Sequence, residues 1–283
     1  MTKPTVALIS PGQMGAAIGA RLVTHGIKVV TPRGRSAASE DRALNAGIEI
    51  VEEAAIAKAD FIFSIVPPGI AIETARHISA ILCPAKANPL YIDWNAISSK
   101  KSIEISQIIE SSGGRYADGS IIGMPPGPQG PGPALFASGA AASALMVLND
   151  HGIRFKIMNA PVGAASALKM SYAGITKGII AIGASMLLAA RRAGCDEALL
   201  AELASSQSHI LAAYQRSIPD MFSKAERWVP ELQEISEFIG TDRIEGGIYE
   251  QISMFYESLA ADWSGARIDI NALASMLAGA RNN

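Results

Sequence analysis

Val6-Ala-Leu-Ile-Ser-Pro-Gly-Gln-Met-Gly-Ala-Ala-Ile-Gly19 reads as an apolar strand, a tight turn and the start of a helix. Laid on the pattern G-x-G-x-x-G it gives Ser10-Pro11-Gly12-Gln13-Met14-Gly15, with serine in place of the first glycine. In that pattern the second glycine brings backbone close to a pyrophosphate, and the third lets the helix lie tightly on the strand. The phosphates rest on free N–H groups at the helix N-terminus, where the helix dipole is positive. The same turn also occurs as a plain structural element of other doubly wound folds, so its surroundings decide its meaning.

The surroundings alternate strand and helix. Strands are predicted at Thr5–Ser10, Ile27–Thr31, Ile48–Val51, Asp60–Val66 and Leu90–Asp93, and helices at Met14–Thr24, Ala37–Ala46, Glu52–Lys58, Ile70–Leu82 and Ser98–Ser111. Almost wholly apolar strands separated by helices imply a parallel sheet covered on both faces. Short strands follow around Arg115–Ala117, Ala134–Ala137 and Arg154–Ile157. The proline- and glycine-rich stretch Met124–Pro133 cannot be helical. It is a surface loop at the mouth of a site, or a spacer.

After Pro161 the character changes. Ala164–Arg192 is one long helical pattern, apolar nearly all round, and the remainder also reads as helix. A helix apolar on every face has to be covered by other protein. Gly174 and Gly178 would let another helix approach closely. The expected architecture is an α/β Rossmann domain over 1–160 and an all-α domain over 161–283, with a homodimer as the assembly.

The second strand ends at Thr31-Pro-Arg33-Gly-Arg35-Ser36, a tip that bears on which nucleotide is bound. A site for NAD usually carries an acid about 20 residues beyond the glycines, to bind the ribose 2′-hydroxyl. Here no acid occurs before Glu40, whereas Arg33, Arg35 and Ser36 suit a 2′-phosphate through bidentate, charge-assisted contacts. NADP(H) is the expected cofactor, with two solvated surface arginines as the other reading.

Composition narrows the remaining classes. Of 283 residues, 49% are hydrophobic and the net charge is −2, without a basic run of the kind that follows nucleic acid. Cys83 and Cys195 form neither a disulfide framework nor a metal-ligand spacing, which predicts a reducing compartment and no metal. No secretory leader is legible. The uncharged run Gly178–Ala190 falls short of the ~20 residues of a membrane-spanning helix. A cytoplasmic protein that binds a small molecule, but neither nucleic acid nor membrane, is expected.

With these residues in place the chain resembles the β-hydroxyacid dehydrogenases, the family that includes 6-phosphogluconate dehydrogenase and, more distantly, the imine reductases. The resemblance runs in order through Ser10–Gly15, Ser64-Ile-Val-Pro-Pro68, Tyr91-Ile-Asp93-Trp-Asn95-Ala96, Ala117-Asp118-Gly-Ser-Ile-Ile-Gly123, Leu135-Phe-Ala-Ser-Gly139 and Gly163-Ala-Ala-Ser-Ala-Leu-Lys169. Arg227-Trp228-Val-Pro-Glu231-Leu-Gln-Glu-Ile235 is similar to the poorly characterised second domain of one subgroup.

The resemblance implies that Val66, Pro67, Pro68 and Asn95 lie beside a nicotinamide. For Asn95 a helix or turn cap is the plainer alternative. It also implies that Lys169 is the general acid/base, since a lysine in an apolar pocket can give and take a proton near neutral pH. The plainer reading of Lys169 is a stem packed on the helix with its head in water.

Two departures stand out. The family's asparagine four residues past the lysine is Ala173, preceded by Tyr172, which is assigned a supporting catalytic role. The serine of the substrate-carboxylate loop is lost in Ile122-Gly123-Met124. Hydride transfer on a small hydroxy or keto acid, imine reduction, and cofactor binding without turnover all remain open. His209, Tyr214, Trp228 and Tyr249 are read as core or interface residues.

Overall fold

The computed structural model describes residues 3–33, 36–127, 130 and 132–279. It divides into two compact units, residues 1–170 and 171–283.

The first unit is built on one eight-stranded sheet. Its strands are β1 (Thr5–Ile9), β2 (Lys28–Pro32), β3 (Glu49–Val51), β4 (Phe61–Ser64), β5 (Leu90–Asp93), β6 (Arg115–Ile122), β7 (Ala134–Ser138) and β8 (Phe155–Ile157). They lie in the order β3-β2-β1-β4-β5-β6-β7-β8. All neighbours run parallel except β6 and β7, which are antiparallel. Between β1 and β4 the chain order reverses, and a crevice opens there at the carboxyl ends of the strands, where ligands of such sheets bind.

Strand periodicity distributes the core. Val6 and Leu8 point to one face, onto Ile18 and Leu22 of α1 (Gln13–Thr24) and Leu145 and Leu148 of a 3-10 segment at Ala142–Leu148. Ala7 and Ile9 point to the other, with Ala75, Ile78 and Leu82 of α3 (Ala71–Ala85) and Ile105 and Ile109 of α4 (Ser99–Ser111). The remaining helix, α2 (Ala37–Asn45), follows β2. This is the doubly wound α/β arrangement expected from the alternating pattern.

Two elements differ from expectation. Glu53–Lys58 is a 3-10 helix, because six residues between two strands do not complete two α-turns. The strand expected at Arg115–Ala117 continues to Ile122 through Asp118-Gly119-Ser120, which reads as a turn in sequence. Glycine is admitted there because the Trp94 ring fills its side-chain space. A Cβ on Gly119 would lie 2.4 Å from Trp94 Cε3.

The second unit is entirely helical among its described residues. The long helix α5 (Ala164–Ala193) begins in the first unit and runs into the second. It is followed by α6 (Asp196–Ser206), α7 (Ser208–Met221), α8 (Ala225–Ile239), α9 (Ile244–Ser264) and α10 (Ile268–Gly279).

Glycines on α5 set the packing, as the spacing of Gly174 and Gly178 suggested. A Cβ on Gly174 would meet the Tyr249 hydroxyl at 3.1 Å, and one on Gly183 would meet the Tyr214 ring at 2.5 Å. Lys177 is buried in this unit. It is ion-paired to Glu231 at 2.5 Å and lies 5.3 Å from the centre of the Trp228 ring. Tyr214, Trp228 and Tyr249 thus pack around α5. The helix is long and apolar enough to cross a membrane by length and composition, but 61% of its most apolar window is buried within the protein.

Candidate cofactor and active site

The phosphate turn departs from β1 at Ser10, whose φ of +56° is the left-handed conformation that glycine normally supplies. Gly12 N–H then donates to the Ser10 carbonyl at 2.7 Å, closing the turn. Gly12 is the N-cap of α1 and makes no side-chain cap. The leading N–H groups of the helix therefore face the crevice.

Nothing lies within 4 Å of the place a Gly12 Cβ would take, so the protein itself does not require glycine there. Gly15 packs on Leu8, with a Cβ placed 3.3 Å from Leu8 Cδ2. The tighter helix-on-strand approach is at Gly19, where a Cβ would sit 2.6 Å from Ile48 Cδ1.

Arg42 on α2, absent from the sequence reading, donates its Nε to the Pro11 carbonyl at 3.0 Å and braces the turn. No spacing rule marks it, because the contact spans 31 residues. The hydroxyls of Ser10 and Thr31 are both buried without a protein partner, and both residues line one cavity of about 10 Å³.

At the tip of β2, Arg33 is exposed and its Nε lies 3.8 Å from Glu52. Ser36 caps α2 by accepting the Ser39 N–H at 3.2 Å, which leaves that helix N-terminus beside the arginine loop. Arg35 lies outside the described residues. Ile9, Pro32, Arg33, Ile70, Thr74 and Ile78 line a cavity of about 350 Å³, with the hydrogen-bonded pair His77 and Glu53 at its wall.

An implied dinucleotide fits these residues. An open glycine, an uncapped helix start and two orphaned hydroxyls converge on the crevice, and a cavity of mixed polar and apolar lining adjoins them.

Further along the edge, Asn95 joins two strand tips. Its Oδ1 accepts the Val66 N–H at 2.6 Å, its Nδ2 donates to Ser64 Oγ at 3.1 Å, and its own N–H donates to Asp93 Oδ1 at 2.8 Å. Asn95 therefore shapes the Val66-Pro67-Pro68 turn. The cap of α4 is Ser98, which accepts the Lys101 N–H.

The register places Ile9, Ser64, Asp93, Asp118 and Ser138 in one row across five strands. Four of the five are polar and all four of these are buried. Asp118 is the hub, and α5 is anchored to it. Its Oδ1 accepts Ser102 Oγ at 3.0 Å and Ser166 Oγ at 2.6 Å; its Oδ2 accepts Ser138 Oγ at 3.1 Å and the Ser166 N–H at 2.9 Å. Ser138 Oγ in turn accepts the Ala165 N–H at 3.0 Å. Four donors, two of them from the first turn of α5, converge on this buried carboxylate.

Asp93 is in the opposite situation, because its Oδ2 has no partner. Burial pushes its carboxyl up to about 7; the Asn95 N–H opposes the rise and the nearby Asp118 charge adds to it. Burial likewise holds the Tyr91 and Tyr116 phenols well above their ordinary range, reinforced by the Asp93 charge.

This polar row was not read from the sequence, although its signal was available. That signal is the Ser or Asp on which β4, β5 and β7 end (Ser64, Asp93 and Ser138), whereas Asp118 lies inside β6.

Lys169 lies one turn beyond Ser166. It is half-buried, and its Nζ donates to the Ile121 carbonyl on β6 at 2.9 Å. Ile122 ends that strand, Gly123 takes φ +126°, and Met124 is exposed. No side-chain hydroxyl stands in this stretch. The loop that follows starts and ends at the carboxyl edge, but Arg21 ties it to α1 by donating to the carbonyls of Gly127 and Gly130, each at 2.7 Å. Tyr172, three residues past Lys169, belongs to the second unit and is half-exposed, while Ala173 is buried.

A conserved protein of unknown function, described as structurally similar to 3-hydroxyacid dehydrogenases, shares 26% identity and a TM-score of 0.76, over 92% of this chain and 99% of its own. The Mycobacterium tuberculosis 3-hydroxyisobutyrate dehydrogenase, solved with L-serine, shares 20% identity and a TM-score of 0.70, over 99% and 100%. An imine reductase from Myxococcus stipitatus, a variant in complex with NAD+, shares 19% identity and a TM-score of 0.60, over 92% and 95%. The last two likenesses are of fold.

Residues 190–259 match a domain described only as being of unknown function, DUF1932. Residues 5–149 match the NAD binding domain of 6-phosphogluconate dehydrogenase. The chain belongs to that family, and is an oxidoreductase of the dehydrogenase type.

Proposed function

We propose that the protein is an NADP-dependent oxidoreductase acting on a small hydroxy acid, keto acid or related polar metabolite, with Lys169 as general acid/base. The observation that carries this reading is the placement of Lys169. Its ammonium is held on the Ile121 carbonyl, at the edge of the sheet where the phosphate turn and the Asn95 turn also emerge.

Gly12, Gln13, Met14 and Gly15 would receive the pyrophosphate at the start of α1. Arg33, Arg35 and Ser36 would receive the 2′-phosphate. Val66, Pro67, Pro68 and Asn95 would border the nicotinamide, which when bound supplies hydride transfer at the substrate carbon. Lys169 gives a proton to the substrate oxygen in reduction and takes it back in oxidation. The hydrogen bond from Nζ to the Ile121 carbonyl holds the ammonium in place for that transfer. Tyr172 is assigned a supporting hydrogen bond to the substrate.

A second reading, reduction of a C=N bond, is favoured by one observation. Ile122, Gly123 and Met124 offer no side-chain donor for a substrate carboxylate, so recognition there falls to backbone N–H groups. Both cysteines are free and exposed, which suits the cytoplasm.

The test is a fluorescence titration with NADPH and NADH, followed by a substrate screen with Lys169→Ala. Tighter NADPH binding, weakened in Arg33→Ala and Arg35→Ala, is expected. So is a loss of about 10²–10⁴-fold in kcat without Lys169. Equal affinity for both nucleotides overturns the NADP assignment, and unchanged turnover in Lys169→Ala overturns the mechanism.

A further inference from the structure

The four leading N–H groups of α5 all have partners, and two of the four are not spent locally. Ala164 donates to the Pro161 carbonyl at 3.2 Å and Ala167 to the Gly163 carbonyl at 2.9 Å, the ordinary bonds of a chain entering a helix. The two between them go to the sheet. Ala165 N–H donates to Ser138 Oγ on β7, and Ser166 N–H to Asp118 Oδ2 on β6. Ser166 adds its hydroxyl to Asp118 Oδ1, and Ser138, which grips Ala165, donates to Oδ2. Three of the four donors on Asp118 thus come from α5 or from the residue that holds it.

Lys169 stands three residues beyond Ser166 on α5, and Ile121 three beyond Asp118 on β6. Helix and strand are therefore joined twice at one offset: Ser166 Oγ to Asp118 at 2.6 Å, and Lys169 Nζ to the Ile121 carbonyl at 2.9 Å. The two links differ in what they can fix. Holding a long lysine in one rotamer costs entropy of the same order as the net gain from a hydrogen bond to its ammonium, so that bond by itself leaves little margin. Ser166 has a single side-chain rotor and its N–H has none, so its two bonds to the carboxylate carry almost no such cost.

The backbone of α5 is thus pinned one turn before the lysine, and the pin bounds the places that Nζ can reach. Asp118 itself is fully buried, so it acts at a distance from any bound molecule.

Resting on Lys169 as the general acid/base, we infer that Asp118 is a positioning residue of the reaction. Through Ser166 it sets the register of α5 against β6, and with it the point at the sheet edge from which Nζ delivers its proton. Small misplacements of a reacting group are costly in rate, which gives the pin a kinetic consequence beyond stability.

Asp118→Asn disturbs every donor at once, so the test compares two hydroxyls on the same carboxylate oxygen. Ser166 Oγ and Ser102 Oγ both donate to Oδ1, the first from α5 and the second from α4, where it also meets the Tyr116 hydroxyl. Ser166→Ala and Ser102→Ala in the full chain each remove one of them. The probe is acetic anhydride at a limiting dose, with acetylation of Lys169 read by peptide mass spectrometry against the exposed Lys86. Lys169 is expected to label about threefold or more faster in Ser166→Ala, and within about twofold of wild type in Ser102→Ala, while both variants unfold cooperatively. On a substrate that the wild type turns over, Ser166→Ala is expected to lose about tenfold in kcat with its KM for NADPH little changed, and Ser102→Ala to keep its kcat. Unchanged labelling of Lys169 in Ser166→Ala overturns the inference. An equal rise in both variants overturns it too, since Asp118 would then be a general prop of the fold. So does an unchanged kcat in Ser166→Ala where Lys169→Ala has lost turnover. The labelling needs no turnover, so its result is separate from the acid/base reading, which fails on an unchanged kcat in Lys169→Ala.

Discussion

The Asp93 side chain makes a sharp prediction about stability and pH. In the unfolded chain its carboxyl titrates near 3.8, and in the folded protein near 7, chiefly because the group is buried. Between those two values the native state holds a proton that the unfolded state has released. Stability from this group is full below about pH 4, falls as pH climbs, and is lost by the time pH has passed 7. Three pKa units at ~1.4 kcal/mol each place the whole effect at about 4 kcal/mol, an upper figure because Asp118 shares the field.

Asp93→Asn keeps the shape of the protonated acid, and its amide oxygen can still accept the Asn95 N–H. The variant should match the wild type at about pH 4 or below and exceed it near pH 8. In melting temperature the difference between the two proteins should open by roughly 10 °C, at 2–4 °C per kcal/mol for a domain of this size. Differential scanning calorimetry at half-unit pH steps reads it directly. Parallel curves for the two proteins would refute the idea that Asp93 is a proton-holding group.

Other substitutions separate packing from binding. Gly19→Val should cost about 1–3 kcal/mol of stability in urea titration, since its side chain has to displace Ile48. Gly12→Ala should leave unfolding unchanged, as nothing lies within 4 Å of the added Cβ, yet weaken NADPH binding by about tenfold or more on the proposal that the pyrophosphate takes that open space. Asp118→Asn should lose roughly 2–4 kcal/mol as charge-assisted bonds to Ser102, Ser138 and Ser166 are broken, and a variant as stable as wild type would remove its role as hub. Ser10→Gly should raise the unfolding midpoint of the free protein, by about 1–2 kcal/mol, while lowering affinity for NADPH.

Most of the Rossmann sheet was legible because each strand announces itself as a short apolar run between helical patterns, a signal written in local spacing. The strands from Thr5 to Asp93 fall within a residue or two of expectation. The candidate site was proposed from sequence only where the pattern is also local, as in Ser10–Gly15 and around Lys169. Arg42 reaches Pro11 across 31 residues, and Asp118 gathers donors from α4, β7 and α5. Such contacts depend on sheet register, which a one-dimensional pattern does not encode. The second half of β6 was hidden for a related reason: Asp118-Gly119-Ser120 looks like a turn until Trp94 is seen lying over the glycine.

Ser10 brings the local and the non-local together. In sequence it is a flaw in a glycine motif, and in the fold the flaw has two costs. A non-glycine residue at φ +56° is strained by about 1–2 kcal/mol relative to glycine. Its hydroxyl is also buried unpaired, giving up the hydrogen bonds it would have in water. Glycine would avoid both, so nothing within the folded chain explains the serine. Thr31, the other orphan on the same cavity, closes the strand whose tip carries Arg33, Arg35 and Ser36. The hydroxyls of Ser10 and Thr31 are thus both without a hydrogen-bond partner from the protein, at the foot of the proposed phosphate turn. On the proposed reading, a bound dinucleotide would supply that partner, and this is the physical ground for proposing that Ser10 serves binding and not stability.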